Sequence, residues 1–145
     1  MNLLVAVDFS PVTDRVIETA VGLARAVHGG ITLLHVARPE PDFIGYEAGP
    51  QSVRDQVAAE FRGQRHTLQD LANRIRAAGI DATPMVVQGA IADTIIEHAR
   101  RVEAGFIVVG THGRGAVAAL LIGSVSEGVI RRSPVPVLVV PPAHP

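Results

Sequence analysis

At 145 residues, 48% of them hydrophobic and with a formal net charge of -1, the chain has the size of one domain, 1–145, that buries roughly 70% of its unfolded surface. The near-neutral charge, the lack of a basic run, and a single Tyr, four Phe and no Trp exclude nucleic acid as an expected partner, because little is left to neutralise phosphates or stack on bases. With no Cys, and with all 13 basic residues Arg, disulfides, thiolate nucleophiles, Cys-based zinc sites, Schiff bases and the lysine of a Walker A loop are excluded too.

The chain opens on "NLLVAVD", a nearly continuous apolar run from Asn2, which predicts a strand buried on both faces of a parallel sheet. No positive charge precedes it, and no run reaches the roughly 18 apolar residues of a membrane span. A cytoplasmic protein with no membrane partner is the expectation. Ser10 is placed to cap a first helix with Pro11 at its first position, and Val12, Val16, Ile17, Ala20, Ala24 and Val27 form its apolar stripe before "HGG" ends it. The second strand is "GITLLHVA" from Gly30, and "ARPEPDFIGYEAGP" after it reads as the longest irregular loop.

A long helix is predicted from Ser52 to Ala78, with Val53, Val57, Phe61, Leu68, Leu71, Ala72 and Ile75 on one stripe and Gly79 as its C-terminal cap. "DATPMVVQ" from Asp81 is the third strand, Ile91, Ile95, Ile96, Ala99 and Val102 mark the third helix, and "GFIVVGT" from Gly105 is the fourth strand. Val125, Val129 and Ile130 predict a short fourth helix before "PVPVLVV", the closing strand from Pro134. Strict alternation of strands and helices implies right-handed crossovers, so the predicted fold is α/β, a single doubly wound domain with helices on both faces of a five-stranded parallel sheet.

The glycine-rich stretch "GTHGRGAVAALLIGS" admits three readings. As a Walker A loop it fails, because Ala116 and Val117 stand where Lys and Ser or Thr belong. As a dinucleotide fingerprint, Gly113, Gly115 and Ala118 fit the spacing, but the segment follows the fourth strand and no acidic residue stands about 20 positions on. The third reading joins Gly110, Gly113, Gly123 and Ser124, glycines separated by two and then nine residues with a hydroxyl at the start of the last helix. Gly113 can offer bare backbone N–H groups to an anion, and Gly123, Ser124 and Ser126 place donors at a helix N-terminus.

With this motif, the sequence resembles the universal stress protein family, whose ATP-binding members carry G-2x-G-9x-G-(S/T). "VAVDFS", "LLHV", "VVQGAIADTIIEHA" and "SPVPVLVV" are similar to the family's first, second, third and closing segments. The resemblance implies a sheet of order 3-2-1-4-5 and a cleft where strands one and four part. Carried over by position, it implies that Val7 and Asp8 hold the nucleoside and Val36 lines the adenine pocket. Val109 and Gly110 close the other side, Gly113 approaches ribose and phosphates, and Gly123, Ser124, Val125 and Ser126 take the phosphate chain. Ala6 stands where some ATP-binding relatives have a different small or rigid residue. It further implies ATP with Mg²⁺ or Mn²⁺ on its phosphates, and a homodimer through the closing strand, Val135 to Val140.

Several of these residues have simpler roles open to them. Asp8 can serve as a local cap, the serines are ordinary helix-start residues worth about 1 kcal/mol, and "AVAALLI" reads as a buried turn packed on the sheet. His35 reads as a satisfied core histidine, while His112 and Arg114 can touch a phosphate or stay in solvent. The six His form no recognised metal spacing, so no protein metal ligands and no catalytic residues are expected. The function expected is that of an ATP-binding universal stress protein, a regulator or sensor with at most slow hydrolysis. The rivals are an ATP hydrolase or adenylyl-transferring enzyme using Asp8 or His112, and an interaction dimer that binds no nucleotide.

Overall fold

The computed structural model describes residues 1–38, 51–111 and 122–143, with the side chains of 51–53 left out. In chain order its elements are β1 (Asn2–Ala6), α1 (Thr13–Val27), β2 (Gly30–Ala37), α2 (Gln51–Ala77), β3 (Ala82–Gln88), α3 (Ile91–Arg101), β4 (Ala104–Gly110), α4 (Ser124–Arg132) and β5 (Val137–Val140). The strands form one parallel sheet of order β3-β2-β1-β4-β5, the fold predicted.

The unbroken apolar runs are explained by burial on both faces. Leu3, Val5, Ile31 and Leu33 pack with Val16, Ile17 and Ala20 of α1 and Leu68, Ala72 and Ile75 of α2. Their neighbours Leu4, Leu34, Val36 and Ile107 pack on the other face with Ile95 and Ala99 of α3 and Val129 of α4. Successive strand residues point to opposite faces, so each run must be apolar throughout. Gly79 has a φ of 88°, and the N–H groups of Gly79 and Ile80 donate to Arg76 and Ile75, which stops α2 as predicted.

Element ends depart from the sequence reading in several places. Helix α1 begins at Thr13 behind Val12, with no side-chain cap, and the hydroxyl of Ser10 is buried without a partner. Asp8 does the turning instead: its Oδ1 accepts the N–H of Ser10 at 3.0 Å, Phe9 takes a left-handed φ of 60°, and the Ser10 carbonyl receives Thr13. This Asx turn delays the helix past Pro11. The last strand starts at Val137, not Pro134, because Ser133 bonds both backbone groups of Val135 and prolines 134 and 136 have no N–H to give a ladder. Ile130, expected on the buried stripe of α4, is 43% exposed, and Ile122, the described end of the stretch expected to be buried, is 48% exposed. Most of the loop after β2, residues 39–50, lies outside the described residues.

Candidate functional site

Strands β1 and β4 are neighbours, yet β1 connects toward β2 on one side and β4 toward β5 on the other. At such a switch point the two connections part and leave a crevice at the carboxyl ends of the strands. A cleft of about 730 Å³ lies there, within the range of sites that bury small organic ligands. Its walls come from the ends of β1, β2 and β4 and the starts of α1, α3 and α4.

Of the residues the sequence singles out, Val7, Asp8, Val36, Val109, Gly110, Gly123, Ser124, Val125 and Ser126 all line this cleft, as does Ala6. Gly113, His112, Arg114 and most of "AVAALLI" lie outside the described residues. A second recess, also about 730 Å³, lies between α2 and β3 and is walled by Val57, Phe61, Val86 and Val87. Arg54 and Arg62 of α2 also line that recess, whereas the cleft between β1 and β4 takes in the start of α4, residues 124–126.

The start of α4 gives the cleft its polarity. The Gly123 N–H donates to the Thr111 carbonyl at 2.8 Å, and the Gly123 carbonyl accepts the first helical bond from Glu127. No side chain caps the helix, and among the described residues none accepts from the N–H groups of Ser124, Val125 and Ser126. Three backbone donors at the positive end of a helix dipole therefore stand ready for an anion. The Ser126 hydroxyl is not among the free donors: Ser126 is 3% exposed and its Oγ donates to the Gly110 carbonyl at 2.6 Å, tying α4 to the end of β4.

Gly110 turns out to have a packing reason as well. A Cβ there would lie 2.7 Å from Val12 Cγ1 and 3.4 Å from Val16 Cγ2, and a valine side chain is too stiff to yield freely. Gly110→Ala is accordingly expected to lower stability by about 1–3 kcal/mol, measured by urea denaturation; an unchanged midpoint would show that α1 does not press on this strand end.

The sequence reading overlooked Phe9, Arg38, Gln64 and Thr111 as cleft residues and took His35 only as core, although all five line the cleft. Gln64 comes from α2, whose polar face carries no signal that one amide reaches the strand ends. The hydroxyls of Thr13 and Thr111 are buried without a hydrogen-bond partner, and both residues line the cleft. Asp8 is its sole acidic residue among those described, and no group of three or more His, Asp or Glu among the described residues could hold a metal ion.

Comparison with known proteins matches the universal stress protein family model to residues 1–141. The universal stress protein YxiE of Bacillus subtilis is 28% identical, over 96% of this chain and 97% of its own. Among solved structures, universal stress protein UspA of Lactobacillus plantarum, 20% identical, shares the fold with a TM-score of 0.79 over 97% of each chain. A universal stress protein solved in complex with cAMP is 26% identical, with a TM-score of 0.70 over 99% of this chain and 98% of that one.

Proposed function

Since the chain belongs to the universal stress protein family, we propose that it is a regulatory or sensor protein that holds ATP in the cleft between β1 and β4. One observation carries the reading: the uncapped start of α4 and the apolar ends of β1 and β2 open into the same cleft. The phosphates belong at Gly123 to Ser126, the base belongs beside Val36, Val7 and Asp8, and Gly113, outside the described residues, is assigned to the ribose and phosphates by the motif alone. The relative solved with cAMP supports an adenine nucleotide as the ligand.

Mg²⁺ or Mn²⁺ would ride on the phosphates, in keeping with a single carboxylate among the described residues of the cleft wall. That carboxylate, Asp8, already accepts the Ser10 N–H, and the chain has no lysine to steady a leaving phosphate. Stabilisation of a transferring phosphoryl group would then fall mainly to backbone donors and the bound cation. Steady-state ATP cleavage is expected at or below about one turnover per minute; a much faster rate, lost in Asp8→Ala, would make the protein an enzyme.

The strand β5 is a sheet edge with Leu138 36% exposed, and an open apolar edge favours pairing. We assign it to a second copy of the chain in a cytoplasmic homodimer, with the paired segment narrowed to Val137–Val140. Among the described residues no helix is long and apolar enough to cross a membrane. Mass spectrometry of ligand released by denaturing freshly purified protein tests the nucleotide reading. An adenine nucleotide supports it, and release of an unrelated metabolite would overturn it.

A further inference from the structure

His35 lines the cleft with one ring nitrogen held by the backbone. The residue is 7% exposed and lines the cleft, and its Nδ1 stands 2.8 Å from the Val7 carbonyl oxygen. A carbonyl can only accept, so Nδ1 carries the hydrogen, and in the neutral ring Nε2 bears a lone pair. The Val7 N–H is itself held by the Leu34 carbonyl at 3.0 Å, which fixes the acceptor. Phe9, in its left-handed conformation, stacks on the imidazole with ring centroids 4.3 Å apart and planes 28° apart. Among the described residues none bonds Nε2. An acceptor on a nearly buried residue is thus left open in the cleft wall.

We infer, building on the nucleotide reading above, that His35 is a specificity-determining residue: its Nε2 accepts the exocyclic amino group of the bound purine and so selects adenine over 6-oxopurines. Adenine carries a donor at the 6-position, whereas hypoxanthine and guanine carry a carbonyl oxygen. Opposite the Nε2 lone pair, that oxygen leaves two buried acceptors facing each other, the kind of mismatch a polar site rejects most strongly.

Calorimetric titration of the whole protein with adenosine, inosine and purine-riboside 5′-monophosphates tests this. The wild type is expected to bind the adenosine nucleotide about tenfold more tightly than either of the others, the purine riboside simply lacking the amino group. In His35→Asn the amide can still serve the Val7 carbonyl but nothing occupies the Nε2 position, so the preference should fall below about threefold. A folded His35→Asn protein that keeps the full preference overturns the inference. Should the variant not fold, the wild-type comparison decides alone: equal affinity for the adenosine and purine-riboside nucleotides overturns it. Failure of the wild type to bind any adenine nucleotide overturns the proposed function, and this inference with it.

Discussion

Ser124→Pro is expected to weaken ATP binding by about 10- to 100-fold while leaving the melting temperature close to that of the wild type. The substitution deletes one of the three open N–H groups at the start of α4, and a hydrogen bond to a charged group is worth about 1.5–3 kcal/mol. Position 124 is the first residue of the helix, where the missing N–H removes no helical bond and the fixed φ of proline suits the geometry. The preceding Gly123 has φ -63° and ψ 158°, the extended conformation that a residue before proline requires. Ser124→Ala keeps the N–H and should lose far less. Adenosine, which has no phosphate, should bind both variants as it binds the wild type. An unchanged ATP affinity in a folded Ser124→Pro protein would remove the phosphates from α4.

The largest effects on stability are expected at two adjacent residues of β2. Leu33 and Leu34 are both fully buried, yet Leu33 packs with Leu68 and Ile75 beneath α2 and Leu34 with Ile95 and Ala99 beneath α3. Each Leu→Ala change removes methyl groups from a filled core and leaves a cavity, at about 3–5 kcal/mol, a large share of the roughly 5–15 kcal/mol that holds a domain together. Urea denaturation of the two single variants should give losses of similar size. A near-neutral result at either position would mean that one face of the sheet is not covered by packed helices.

That symmetry is also why the fold was legible in the sequence. Runs such as "NLLVAVD" and "GITLLHVA" have no polar face, which only a sheet covered on both sides accommodates. The order of the strands is a different matter: periodicity says nothing about which strands are neighbours, and the pairing of β1 with β4 across some hundred residues came with the family resemblance. Element ends were lost to competition between local bonds. Ser10 before Pro11 looks like a helix start, but Asp8 reaches the Ser10 N–H first and shifts the start to Thr13.

The candidate site divides along the same line. The end proposed for the phosphates left marks in the sequence, glycines and a helix start, and the residues carrying those marks from 123 to 126 line the cleft. Gly110 was assigned to the ligand, yet its missing Cβ also makes room for Val12, a contact between elements that no spacing rule reveals. Phe9, Gln64 and the acceptor on His35 depend on side-chain directions set by a left-handed residue and by the packing of α2. Nothing in a one-dimensional pattern encodes those directions.

Whether the cleft between β1 and β4 holds ATP is tested most directly by isothermal titration of the purified, nucleotide-free protein with ATP and Mg²⁺. Saturable binding of about one ATP per chain is expected, with a Kd in the micromolar range, about -8 kcal/mol; no saturable heat up to millimolar ATP would contradict an ATP site in this cleft.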